Sequence, residues 1–222
     1  MGPVSLNLLG FGLIFFDYDN DGRLDAFVAN GHIQPDVHRQ STELTHAERP
    51  LLFHNAGGGQ FVEVGGAFGG PFAREGVGRG AAYGDFNNDG DLDLLVTDNG
   101  GPAELLRNDR AAPRDRGKPH WLEFRLVGRP PNTGALGALV TARAGDLVQR
   151  RTVRTGSSYL SQSMTRLHFG LGSHVQVDTV EVRWPDGTAT HSAHVPVDRI
   201  VTLYQSATDP SSQRHSGRKS GT

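Results

Sequence analysis

Three features of the sequence predict an all-β chain in two parts. Thirty glycines and 12 prolines among 222 residues supply many tight turns. Between the turns lie short runs rich in β-branched and aromatic residues, too short for helices and often alternating in polarity. The charge also changes sign along the chain. Residues 1–120 carry 17 acidic and 10 basic side chains, whereas residues 121–222 carry 7 and 12, so two domains of different character are expected.

With 36 % hydrophobic residues the chain can bury one or two modest cores. The absence of cysteine excludes a disulfide framework, a thiolate nucleophile and cysteine-type zinc sites. No run approaches the roughly 20 apolar residues of a membrane span. "LNLLGFGLIFF", residues 6–16, has neither the basic start nor the small-residue cleavage site of a signal peptide, and reads as a strand.

That strand runs into "DYDNDGRLD", residues 17–25, and "DFNNDGDLD", residues 85–93, repeats it. The repeat extends further. Gly10, Gly12 and Phe15 fall on Gly78, Gly80 and Tyr83, "LDAFVAN" falls on "LDLLVTD", and "LLFHN" at 51–55 answers "ELLRN" at 104–108. The first copy is longer by an inserted loop, "GHIQPDVHRQSTELTHAERP".

Oxygens at positions 1, 3 and 5, a glycine at 6 and another oxygen at 7 let a short loop wrap a hard cation that wants 6–8 oxygen ligands. Asp17, Asp19, Asp21 and Asp25 with the Arg23 carbonyl fill this pattern in the first copy. Asp85, Asn87, Asp89 and Asp93 with the Asp91 carbonyl fill it in the second. An EF-hand would carry glutamate at position 12, where Val28 and Val96 stand instead. The loop is therefore expected to end in a strand, with position 9 giving the last carboxylate. A turn of Asp, Asn and Gly without an ion is the bland alternative. Two copies at the same offsets favour calcium, because so many like charges are costly to crowd together without a cation; magnesium seldom uses all-protein cages.

"GVGRGAAYGDFNNDGDLDLLVTDNGGPAELLRND" resembles an FG-GAP/VCBS repeat, the calcium-loop blade unit of integrin-like β-propellers. The resemblance implies a partial propeller over residues 1–115, about one complete repeat and the end of another, with the loop joining the first two strands of a blade. Propellers usually need 4–8 blades. The missing ones are expected from a longer chain, of which this would be the C-terminal piece, or from another copy.

After the linker "RAAPRDRGKPH" the acidic pattern stops. "HWLEFRLVG", "GALVTARAGDLVQRRTVRTG", "TRLHFGLG", "VDTVEVRWPDGTAT" and "DRIVTLYQ" read as strands joined by turns such as "AGD" and "PDG", and predict a small β-sandwich over 120–207. "WLEFRLVG", "GALV", "SSYLSQS", "LHFGLG" and "VEVRWPDGT" resemble the ASPIC/UnbV domain, and the domain order is similar to that of the cartilage acidic protein family in its bacterial form. One departure is Thr133 after Asn132, where that family has arginine. Residues 208–222 read as a disordered tail.

Other patterns point less firmly to function. "GVGRGA" at 76–81 lacks the following helix of a dinucleotide fold. His32, His38 and His46 have no fixed ligand spacing. Arg150, Thr152 and Arg154 should make a basic stripe on one strand face, more simply a solvated face than a polyanion site; the sequence pI near 6.5 and the lack of interleaved aromatics disfavour nucleic acid. Tyr159, Gln162, Ser163 and Trp184 are candidates for a sugar site, against the alternative that Trp184 belongs to the core. No nucleophile elbow, HExxH or P-loop is present. The expected function is a calcium-binding extracellular or periplasmic recognition or adhesion module, not an enzyme, with a glycan or another extracellular protein as partner. The alternative is an accessory or catalytic part of a secreted hydrolase.

Overall fold

The computed structural model describes residues 3–109 and 117–206. Most of the expected linker and the whole of the expected tail fall outside these residues. Four sheets make up the fold, which is all-β, with only short helical turns. The first sheet is an antiparallel meander of β1 (Gly10–Phe16), β2 (Asp25–Asn30), β3 (Leu51–Gly57) and β4 (Gln60–Glu63). The second holds β5 (Gly78–Gly84), β6 (Asp93–Asp98) and β7 (Glu104–Leu106). These two sheets are propeller-like blades, one for each copy of the acidic loop, where the sequence predicted about one complete repeat and the end of another.

Alternation along β1 explains how the blades meet. Ile14 and Phe16 are buried while Leu13 and Phe15 face outward, as a period of two demands. Ile14 and Phe16 join Phe27, Ala29 and Leu52 of their own blade and Ala81, Leu92 and Leu94 of the next in one apolar cluster. Burial of each large side chain there stabilises the fold by roughly 1.5–3 kcal/mol. The innermost strands approach so closely that a Cβ on Gly12 would stand 2.7 Å from the Arg79 carbonyl oxygen. The glycines shared by the two copies are therefore a packing requirement.

The remaining strands form the sandwich. One sheet has the order β10 (Leu147–Thr152), β9 (Leu139–Ala144), β12 (Gln176–Arg183), β13 (Ala189–Pro196); the other has β11 (Leu167–Gly172), β8 (His120–Val127), β14 (Arg199–Tyr204). The "AGD" and "PDG" turns close the β9–β10 and β12–β13 hairpins, with Gly145 and Gly187 at positive φ. "DRIVTLYQ" follows β13 closely yet crosses to the opposite sheet, where it pairs parallel to β8. Between the sheets lie Leu122, Phe124, Val140, Phe169, Val180, Val182 and Trp184, with the Phe124 and Phe169 rings edge to face at 5.6 Å.

The acidic loops of the blades land on this sandwich. Gly172 donates its N–H to the Asn20 carbonyl at 2.8 Å, Met164 to the Tyr83 carbonyl at 3.0 Å, and Tyr83 to the Ser163 hydroxyl at 3.1 Å. Beneath the second loop, fully buried Glu123 of β8 meets the Arg166 guanidinium at 2.8 Å, and Arg166 also donates to the Asp85 carbonyl. Burial pushes the Glu123 carboxyl up to about 7, against the pull of Arg166.

Candidate metal centre

Residues 17–24 join β1 to β2, and residues 85–92 join β5 to β6, with Asp25 and Asp93 opening the second strand of each pair. The two loops share a backbone. Asn20 and Asn88 at position 4 have φ of 58° and 59°, and Gly22 and Gly90 at position 6 have φ of 90° and 86°. Asparagine tolerates this left-handed region better than most side chains, and glycine enters it without cost.

The carboxylates are held by matching backbone donors. Asp17 accepts from the N–H of Asp21 at 3.1 Å and of Gly22 at 2.8 Å; Asp85 accepts from Asp89 at 3.1 Å and Gly90 at 3.0 Å. At position 9, Asp25 accepts from Tyr18 and Asn55, and Asp93 accepts from Phe86 and Asn108. At position 5, Asp21 and Asp89 accept from the N–H two residues on. Each bond fixes an oxygen while leaving it further acceptor capacity.

In the first loop, oxygens of Asp17, Asp19 and Asp21 lie within 4.8 Å of one another, and Asp19, Asp25 and His54 form a second such group. Burial raises the Asp17 carboxyl well above the usual carboxylate range, with Asp21 and Asp19 adding to the shift. Asp25 is pushed up to about 6, first by burial and then by Asp19, against the N–H of Asn55. Asp85 and Asp93 are raised too, burial again being the main cause. Buried carboxylates that disfavour their own charge are what a cation would relieve, and an all-oxygen set suits a hard ion such as calcium. Asp17, Asp19, Asp21, Asp25 and the Arg23 carbonyl would hold it in the first loop. Asp85, Asn87, Asp89, Asp93 and the Asp91 carbonyl would do so in the second.

Several contributors escape a reading by ligand spacing alone. His54 Nδ1 sits 3.3 Å from Asp25 and 3.5 Å from Asp19, and Arg107 occupies its place in the second repeat. The Arg23 side chain pairs with Asp21 and donates to the Asn55 carbonyl. Asn55 donates its side-chain N–H to the Leu24 carbonyl, and Asn108 donates to Leu92 and to Tyr18 of the neighbouring blade. The signal for the asparagines was their recurrence at the end of "LLFHN" and "ELLRN". The buried Asp91 carboxylate accepts from the Asn20 side chain at 2.8 Å, linking the two loops directly.

The four residues considered for a sugar site are dispersed. Trp184 is buried in the sandwich core with its indole N–H on Thr190, so it serves packing. Tyr159 lies edge to face with Phe11 at 5.1 Å. Gln162 and Ser163 line different cavities. Of the histidines in the inserted loop, His38 is exposed and His32 accepts the N–H of Gln34; neither they nor His46 join the acidic groups.

Residues 17–96 match the FG-GAP-like repeat family, and residues 128–210 match the ASPIC and UnbV family. Cartilage acidic protein 1 of Mus musculus and that of Homo sapiens are each 30 % identical over 181 residues, 79 % of this chain and 25 % of theirs. The Xenopus tropicalis protein of the same name is 29 % identical over 180 residues. The chain spans about a quarter of the length of these relatives. No helix among the described residues is long and apolar enough to cross a membrane.

Proposed function

We propose, from the matches to the FG-GAP-like repeat and ASPIC and UnbV families and the similarity to cartilage acidic protein 1, that this chain is a calcium-stabilised recognition module of the extracellular or periplasmic space. The observation that carries this reading is the duplicated loop: the same residue types, left-handed positions and carboxylate-to-backbone bonds occur twice. A bare turn would have no reason to keep so many buried carboxylates in both copies.

The ion's chemistry here is charge neutralisation: once bound, it removes the repulsion among the loop carboxylates. The protein residues do the rest. Asp25 ties its loop to Asn55 in the third strand of its blade and Asp93 ties its loop to Asn108 just after β7, while Asn20 and Gly90 present the loops to the sandwich. Extracellular modules bind calcium at about 10⁻⁴–10⁻³ M. A hundredfold excess over Kd would add roughly 2.7 kcal/mol for each site.

Recognition without catalysis is favoured by the state of two acids outside the loops. Glu104 is held by Arg74 at 2.5 Å, and Glu123 is sealed beneath Arg166, so neither stands ready as a general acid or base. Titration calorimetry of calcium into chelator-treated protein tests the reading. Two saturable sites are expected; no heat and no change in stability would sink it. Turnover of glycosidic or ester substrates, lost on replacing Glu104 or Glu123, would move the chain to the hydrolases.

A further inference from the structure

Between the blades and the sandwich lies a cavity of about 250 Å³ whose polar groups the calcium loops mostly leave unused. Arg151 of β10 is partly buried in its wall, its guanidinium 5.6 Å from the centre of the Phe169 ring. It donates to the Gln149 side chain at 2.9 Å and to the Arg150 carbonyl at 3.0 Å, two acceptors for five N–H groups. Exposed Arg150 and Arg154 also line the cavity, and none of the three forms an ion pair among the described residues. Three guanidinium groups against one carboxylate, Asp17, leave an excess of positive charge that attracts an anion.

His168, fully buried, supplies an opposite demand. Its Nε2 lies 3.1 Å from the Gly90 carbonyl, which can only accept, so Nε2 carries the proton. Burial lowers this ring to about 4, leaving it neutral at pH 7. Nδ1 is then a bare acceptor, buried and without a hydrogen-bond partner. A buried acceptor left unpaired is costly, and a ligand hydroxyl would satisfy it. The hydroxyl of buried Ser163 accepts from Tyr83 N–H and Ser157 and keeps its own proton to give. The Phe16 and Tyr83 rings, stacked at 6.1 Å, supply an apolar wall.

We propose that this cavity binds one acidic sugar ring, a hexuronate, whose carboxylate meets Arg151 and Arg154 and one of whose hydroxyls donates to His168. A planar carboxylate matches the guanidinium fork. The volume lies below the roughly 300–1,000 Å³ of common ligand clefts, which limits the occupant to one ring, free or at a chain end. Asp17 also lines the cavity; its charge would oppose the ligand unless the first loop holds its cation. The inference thus rests on the calcium reading above.

The test is calorimetry on the full chain in millimolar calcium, with galacturonate, glucose and inorganic phosphate as probes. Galacturonate should bind at least tenfold more tightly than glucose, which lacks the charge, and than phosphate, which is too small to reach the aromatic wall and His168 together. Arg154→Gln, at an exposed position, and Arg151→Lys, which keeps the charge but loses the fork, should each weaken galacturonate roughly tenfold while the calcium heat persists. A trigalacturonate that binds like the single ring identifies a chain end as the source, and its exclusion identifies the free acid. Galacturonate binding equal to glucose, or unchanged in both variants, overturns the site. Loss of the calcium heat in the unaltered protein would instead indict the metal reading.

Discussion

Asp17 and Asp85 each take two backbone N–H bonds, so one side chain shapes the turn and, on the calcium reading, would also offer a cation an oxygen. Asp21→Ala or Asp89→Ala deletes a ligand and the bond to the N–H two residues on. Calcium affinity should fall by at least the roughly 10–100-fold that loss of an outer-shell partner costs. His38→Ala, at an exposed position, should leave it unchanged, and equal losses by calorimetry would mean that the site has been misplaced. Protons are the second probe of these carboxylates. Asp25 titrates at about 6 when folded, above its ordinary 3.8. Folded protein without calcium therefore keeps a proton that the unfolded chain has already released, and Glu123, raised from 4.5 to about 7, acts in the same direction. His168, lowered from 6.5 to about 4 by burial, opposes them, but Asp17, Asp25, Asp85, Asp93 and Glu123 are all raised, so stability in chelator should fall as pH rises through that window. Calcium requires the deprotonated loop, so its affinity should rise over the same range; urea midpoints and calcium titrations from pH 4 to 7.5 read both slopes. The clustered acids and left-handed turn positions of the two loops were legible in the sequence because the loop's chemistry is local. His54 and the Glu123–Arg166 pair were not, since folding brings their partners from 29 or more residues away.

At the scale of the element, the repeat was readable because each blade is a local meander, in which hydrophobic alternation and turn residues decide the strands. Sheet membership of β14 was less so. Its sequence fits a hairpin with β13, and only the packing of the two sandwich sheets sends it to pair parallel with β8. Two glycines distinguish backbone need from packing need. Gly57 and Gly90 have similar φ values, 83° and 86°, but a Cβ on Gly57 meets nothing within 4 Å while one on Gly90 would overlap the Trp121 indole. Gly57→Ala should therefore cost about 1–2 kcal/mol in strain alone. Gly90→Ala should cost clearly more, because the sandwich wall must shift as well. Matching urea midpoints for the two variants would show that the loop does not dock as described. Asn108→Ala removes donors from the Tyr18 and Leu92 carbonyls, with an expected loss of roughly 1–3 kcal/mol.

Across the whole molecule, the change of charge sign suggested two domains of different character, and the contact between the two parts is substantial. Trp121 is buried against the Gly90 loop, Gly170 lies against Asp17 and Asn20, and Glu123 and His168 of the sandwich are buried under the second loop. No pattern in the sequence announces this face, because each half of it is an ordinary strand end or turn. Removing the blades would expose Trp121 and leave Glu123 and Arg166 open to water, so the sandwich and the blades are expected to unfold together in one transition. Occupied loops should strengthen that coupling, since the same aspartates that would hold the cation sit against the sandwich. Differential scanning calorimetry of the full chain in millimolar calcium and in chelator tests this account most directly. It predicts a single transition in each, moved upward by calcium to the extent of a few kcal/mol; superimposable scans, with no heat when calcium is titrated into the protein, would contradict it.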